Sequence, residues 1–328
     1  MNTVFPRRDR LQRLDTQTPL QAQGTFIDEM WEDPSDPAES PRAQAAQSMA
    51  ATVAMATGLR PFPEVAQQVL TVTSRPDVDL DDLCMLIESD PALASRMLRL
   101  ANSAHLRRRT ECRNLRQAVQ RLGFKMVRGL ALSVATLATY SDPVGEPRRI
   151  REHCAGTAAV IRVLTAAFDR KVMHEAFLCG LLHDFGKLLI HQAGEMDYAV
   201  LRNATNVSGN DLAVREREQL GYDHTILGGW VLHEWEIPEP VPHVIAQHHR
   251  KEAAFQCDGP LGRLIAWLQI ADELDHHAAD GAAADEAYFE WYAQRGPYSR
   301  VGLKARDVMQ LWGAILVERE HTLRVFNG

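Results

Sequence analysis

Nothing in this chain of 328 residues is apolar for long enough to cross a bilayer. The longest apolar stretches, such as GLALSVATLA at 129–138, fall far short of the roughly 20 residues a spanning helix needs, so no membrane insertion is expected. The amino terminus, MNTVFPRRDR, lacks the apolar centre of a signal peptide, and a cytoplasmic location is expected. Cysteine is scarce. The five, at 84, 112, 154, 179 and 257, are odd in number and form no CxxC pair, which argues for reduced thiols serving as small core residues. No convincing strand pattern and no internal repeat is present. What remains is helical periodicity nearly everywhere, with 45% hydrophobic residues to build a core of one or two domains.

Acidic residues are missing from one segment of an otherwise acidic chain. The net charge is −7, yet between Arg96 and Arg128 there are ten Arg or Lys against a single acid, Glu111. A solvated face balanced by acids elsewhere is the favoured reading, ahead of an anion or nucleic-acid site. Arg121, Lys125 and Arg128 share one helical face only if Gly123 does not interrupt the helix. No aromatic residue but Phe124 interleaves the run, so nucleic acid ranks last among the partners.

Residues 1–55 lack sustained periodicity and carry EDPSDPAESPRAQAAQ, which predicts a disordered or loosely attached tail. Order is expected to begin near GLRPFPEVAQQVL, with a helix from about Pro63. An N-terminal helical lobe then covers 56–145. Leu83, Leu86 and Ile87 form one inward stripe there, and Asp90 and Pro91 cap and open a second helix carrying Leu93, Met97 and Leu100. Leu115, Val119 and Leu122 form a third stripe, stopped by Gly123. SDPVGEPRR at 141–149 has the chemistry of a linker. A second helical lobe covers 146–280, and a helical extension, 281–328, ends in VMQLWGAILVERE.

The chemistry lies in the second lobe. In AFLCGLLHDFGKLLIHQ, residues 176–192, an apolar run is broken by His183, Asp184 and Lys187, which a helix that only packs a core does not need. His153 falls on the apolar stripe of Thr157, Val160 or Ile161, Leu164 and Phe168. His224 follows Asp223, a predicted N-cap. His248 and His249 end VPHVIAQHH, and Asp272 shares a stripe with Leu261, Ile265 and Leu268, where a carboxylate is costly without a cation or donors. Each alone has an ordinary explanation: a hydrogen-bonded core histidine, a solvated pair, a cap. Together, inward imidazoles and carboxylates on successive helices predict a site for one or two divalent metals (Mn, Fe, Zn, Ni or Mg), although a site left without metal remains open. Two such metals bridged by a carboxylate clamp a phosphate and generate hydroxide.

A His followed 30 residues later by His-Asp, with a later Asp on another helix, resembles the HD superfamily of metal-dependent phosphohydrolases. More closely, the chain from about 57 to 280 is similar to the HDOD family, HD-related output domains of bacterial signalling. The phrases that carry the likeness include PFPEVAQQVL, LDDLCMLIESDPALASRMLRLANSA, NLRQAVQRLGFKMVRGLAL, EAFLCGLLHDFGKLLI, LGYDHTILGGWVLHEWEIPEPVPHVIAQHH and ADEL. The resemblance implies an all-α, two-lobed fold and a regulatory or protein-docking role. It places metal ligands at His153, His183, Asp184 and Asp272, with Asp184 bridging. His224, His248 and His249 resemble the extra ligands of two-metal HD-GYP phosphodiesterases. Asp184 and Lys187 are the implied catalytic residues, Lys187 neutralising charge on a scissile phosphate. HD-GYP enzymes carry Glu four residues before the first His, where this chain has Arg149; HHRKEAAFQ stands in place of the GYP signature. Both departures argue against cyclic dinucleotide hydrolysis of that type.

Three functions follow in order. The first is a signalling module acting through a protein partner, as a monomer or homo-oligomer, with the metal site retained. The second is an active phosphohydrolase or phosphodiesterase on a nucleotide or cyclic nucleotide. The third is nucleic-acid binding through 96–128. Whether the chain is an enzyme stays open at this stage.

Overall fold

The computed structural model describes residues 26, 39–59, 63–73, 79–102, 111–140, 144–204, 209–235, 237, 239–250, 252–257, 259–281, 285–294 and 296–327. Every regular element among the described residues is helical, as the periodicity predicts. The first six are α1 (Glu39–Leu59), α2 (Glu64–Thr73), α3 (Leu80–Glu88), α4 (Pro91–Ala101), α5 (Leu115–Leu122) and α6 (Phe124–Tyr140). The site-bearing helices follow: α7 (Gly145–Phe168), α8 (Met173–Leu182), α9 (Phe185–Gln192), α10 (Tyr198–Ala204), α11 (Gly209–Leu220), α12 (His224–Glu234), α13 (Val241–Gln247), α14 (Ala253–Gln256) and α15 (Gly259–Ala279). The chain closes with α16 (Glu286–Ala293), α17 (Pro297–Val301) and α18 (Ala305–Asn327).

Local chemistry explains the early helices. Asp90 accepts from the amides of Ala92 and Leu93 at 3.0 and 3.1 Å, with Pro91 as first helical residue. Asn114 caps α5 on the amide of Gln117 at 2.9 Å, and Gly123 ends it at φ +85°, a conformation that costs glycine little. The inward residues Leu83, Ile87, Leu93, Met97, Leu100, Leu115, Val119 and Leu122 are all buried. Helices α2–α6 pack on one another, and α7 is the axis of the rest, lying against α8, α15 and α18. From Cys154 to Thr165, α7 is buried on every face, the pattern of a helix surrounded by others. Close approach is paid for in small residues: a Cβ on Gly180 of α8 would stand 2.6 Å from the Cα of Ala158.

Three expectations change, those for the tail, the linker and Phe168. The tail does not extend to residue 55, because α1 is helical from Glu39 and packs on α9, with Met49, Val53 and Ala56 buried. Half of its buried positions are alanine (45, 46 and 56) and one is Thr52, so the inner stripe hides in a hydropathy reading. Thr52 Oγ1 and Tyr222 OH also meet at 2.6 Å. Residues 1–25 and 27–38 of the expected tail lie outside the described residues. The linker at 141–149 is helix from Gly145 on, since the proline in GEP falls in the first turn, where its missing amide costs nothing. Phe168, expected on the inward stripe, is the last residue of α7 and is exposed. The expected stop at Gly123 is observed: it separates α5 from α6, so Arg121, Lys125 and Arg128 do not lie on one continuous helix.

All five cysteines are free, and four are buried. No helix among the described residues is long and apolar enough to cross a membrane.

Candidate metal centre

The His183-Asp184 pair sits at the junction of two helices, not within one. Leu182 ends α8, and Asp184 precedes α9 with φ −99° and ψ 14°, which turns its carboxylate inward. Gly186 lets α9 touch the start of α12: a Cβ there would lie 2.0 Å from the carbonyl oxygen of His224. Asp223 caps α12 as predicted, accepting from the amides of Thr225 and Ile226 at 2.9 and 3.0 Å. His224 is thereby the first residue of α12, beside Asp184. His248 follows the last residue of α13, and α15 brings Asp272 alongside.

The predicted residues converge. Asp184 Oδ2 lies 2.7 Å from Lys187 Nζ, 3.5 Å from His183 Nε2 and 3.9 Å from His153 Nε2. Its other oxygen, Oδ1, lies 3.3 Å from His224 Nε2 and 3.9 Å from His248 Nε2. His153 Nε2 is 3.2 Å from His183 Nε2 and 2.9 Å from Asp272 Oδ1. Two ligand groups result that share Asp184: His153, His183 and Asp184 in one, and Asp184, His224, His248 and His249 in the other. Within each, the candidate ligand atoms fall within 4.8 Å of one another. Arg149 is exposed on α7, a turn before His153.

The chemistry of the donors fits divalent metal. Asp184 Oδ1 and the Nε2 atoms of His224, His248 and His249 are buried without a hydrogen-bond partner. Each such atom costs about 1–3 kcal/mol if left unsatisfied, and all four belong to a single ligand group. The far side of three imidazoles is already occupied. His183 Nδ1 donates to the Gly180 carbonyl at 2.9 Å, His248 Nδ1 to the Ile245 carbonyl at 2.7 Å, and His224 Nδ1 to Glu216 at 2.5 Å. In His183 and His248 that arrangement holds the tautomer in which Nε2 has a free lone pair, and in His224 it leaves Nε2 as the nitrogen that faces Asp184.

Charge is partitioned within the centre. Burial alone would raise the Asp184 carboxyl, but Lys187, His183 and His224 hold it well below the usual range. Burial, with His183 and His224, pushes His248 down to about 3, and burial with His248 drives His249 down too, so both are neutral. Burial disfavours the charged form of His153, yet Asp272 and Asp275 lift it to about 10; Glu216 likewise lifts His224 to about 9. Lys187 is raised, because Asp184 and Glu216 outweigh burial.

Sequence reasoning did not single out Asp275, Glu216, Tyr198 and His276. Asp275 Oδ2 accepts from His153 Nδ1 at 2.8 Å. Glu216 bonds His224 twice and receives Tyr198 OH at 2.9 Å. His276 stacks on His153 with ring centres 4.2 Å apart. Asp275 and His276 carried a faint signal, standing three and four residues after Asp272 in ADELDHH. Glu216, inside the charged run REREQ, carried none.

A family model for the HDOD domain matches residues 59–251, more than half of the chain. The chain belongs to the HDOD domain family. Its solved HDOD-like neighbours include a Shewanella amazonensis SB2B protein, by name only a phosphohydrolase, at TM-score 0.64 and 23% identity over 84% of this chain and 98% of that one. A Marinobacter aquaeolei VT8 protein, by name only a signal transduction protein, is similar at TM-score 0.59 and 22% identity, covering 87% of this chain and 66% of that one. At these identities the common property is the fold. An uncharacterized Treponema pallidum (strain Nichols) protein is 24% identical over 210 residues, 64% of this HDOD chain but only 41% of that longer protein. Asp272 lies beyond the matched segment, so the HDOD match covers all of the centre except what α15 supplies.

Proposed function

We propose that this HDOD protein is a metal-holding signalling module. It binds one or two divalent metals, from among Mn, Fe, Zn, Ni and Mg, at Asp184 and the surrounding histidines, and acts on a protein partner. The observation that carries the metal reading is the set of four buried, unpartnered donor atoms on Asp184, His224, His248 and His249. His153, His183 and Asp272 would hold a second metal beside Asp184. Family membership supports the signalling role, as does Arg149 in the place where the catalytic HD-GYP relatives carry Glu.

One specific observation favours a second reading, phosphoester hydrolysis. Lys187 is buried, stays charged and touches Asp184, which sets a fixed cation beside the carboxylate shared by both ligand groups. Bound divalent metals would supply Lewis acidity and a hydroxide at neutral pH. The chain's own groups do the rest: Lys187 neutralises charge on the substrate phosphate, and Glu216 holds His224 in its tautomer.

Protein purified without chelator, with Mn or Fe supplied, is expected to carry up to two metals per chain by mass spectrometry, lost in Asp184→Ala. Metal-free protein under every supply would end the reading. Metal-dependent hydrolysis of a generic phosphodiester, abolished by Asp184→Ala, would select the enzyme. A partner whose binding survives Asp184→Ala in folded protein would select the module.

A further inference from the structure

Arg319 stands on α18, far from the metal centre in sequence and outside the segment the family shares. Its Nε donates to Asp275 Oδ1 at 2.7 Å. Asp275 is fully buried, and its other oxygen accepts from His153 Nδ1 at 2.8 Å. His153 Nε2 in turn faces His183 Nε2 at 3.2 Å and Asp272 Oδ1 at 2.9 Å. An unbroken line of polar contacts therefore runs from the C-terminal helix to a ligand of the first metal group.

Two features show that the line is built into the packing. Gly156, three residues after His153, is what admits Asp275: a Cβ there would lie 1.9 Å from Asp275 Oδ1. The neighbour of Arg319, Glu318, is buried and paired with fully buried Arg162 of α7, which also reaches Thr322 at 3.1 Å. The docking of α18 on α7 therefore sets where the Arg319 guanidinium stands. A buried carboxylate needs its partners. Arg319 fixes one oxygen of Asp275, the other accepts from His153 Nδ1, and the ring is thereby held with Nε2 turned toward His183 and Asp184.

We infer that Arg319 and Asp275 are positioning residues, through which the docking of α18 on α7 sets the metal affinity of the group formed by His153, His183 and Asp184. The group formed by Asp184, His224, His248 and His249 does not depend on them. The inference rests on the metal-holding reading above and extends it to a helix outside the family segment.

Mn(II) is the probe. Its two affinities are measured by chelator competition on the full chain, together with the electron paramagnetic resonance signature that separates a coupled Mn pair from a lone ion. Arg319→Leu is expected to weaken one site about 10- to 100-fold, the usual cost of removing such an outer partner, to spare the other, and to convert the coupled spectrum to a single-ion one. Arg319→Lys is expected to restore the pair. Gly156→Ala, which displaces Asp275 while leaving Arg319 and the Arg162–Glu318 pair intact, is expected to match Arg319→Leu and carries the comparison if that variant does not fold. Unchanged affinities in a folded variant, or equal loss at both sites, would overturn the inference.

Failure of the underlying reading looks different. A wild-type chain that binds no Mn(II) ends the metal reading, and metal-free protein then decides the relay. The hydrogen-bonded Nδ1 proton of His153, assigned by its absence in His153→Gln, should vanish from the NMR spectrum of Arg319→Leu and return in Arg319→Lys. Its persistence in Arg319→Leu would overturn the relay on its own.

Discussion

At the scale of single residues, Asp184 does most of the organising, since one carboxylate faces both ligand groups and Lys187. In metal-free protein His153 and His224 keep their second ring proton up to about pH 10 and 9, while His248 and His249 are neutral at pH 7, with one ring proton each. On the proposed metal-holding reading, metal displaces protons from the first two, so uptake near pH 7 should release protons, and affinity should rise with pH toward those values. Calorimetric titration in two buffers of different ionisation heat checks this; no proton release would contradict the charge partition. Gly186 is the second residue of consequence. Gly186→Ala forces its Cβ against the His224 carbonyl backbone, which should cost about 1–3 kcal/mol and show as a lowered melting temperature with weakened metal binding.

At the scale of elements, two devices hold the candidate ligands. The Asp223 cap starts α12 at His224. Asp223→Ala should cost about 0.5–2 kcal/mol in denaturant unfolding, with metal loss at the His224 group ahead of the His153 group. The buried Arg162–Glu318 pair clamps α18 onto α7. Burial pulls Arg162 down to about 9, and Glu318 is the carboxylate beside it in this dry setting. Glu318→Leu would strand that cation at a cost of about 3–5 kcal/mol, whereas the double replacement Arg162→Met with Glu318→Leu should recover much of the loss. Urea unfolding of the three variants tests the pair; equal losses would show that the clamp is not a coupled unit.

At the scale of the whole molecule, the segment that matches the family is not the whole folding unit. It leaves out α1, which covers α9, and α15 and α18, which line α7. A fragment of residues 59–251 should therefore fail to unfold cooperatively and should not hold metal at His153, as circular dichroism melts and metal analysis would show. The metal-free full chain should be most stable near pH 6.5. His248 and His249, depressed by burial, take up protons more readily when unfolded, so stability is lost as pH falls from about 6.5 toward 3. His153 and His224 are raised, so their stabilisation is complete below about 6.5 and is lost as pH rises toward 9 and 10. A melting temperature that climbs monotonically with pH would refute this.

Much of this was legible in one dimension. Helical period, the Asp90 and Asp223 caps and the Gly123 stop are local, because each depends on residues within one turn, and so they read directly from the chain. The candidate ligands were legible for a different reason: His153, His183, Asp184 and Asp272 are imidazoles and carboxylates in apolar stretches, costly anomalies that stand out without knowing their neighbours, and His224, His248 and His249 stand out by recurring on the helices between them. What stayed hidden were contacts whose two ends look ordinary. The buried face of α1, half of it alanine, has too little hydropathy to announce itself. Glu216 looks like one more acid in a charged helix, and Arg319 like one more base near the carboxyl terminus. Only the packing of α11 beside α12, and of α18 across α7, turns them into supports of the centre, because burial gives a charge its meaning and burial is decided by the assembled helices.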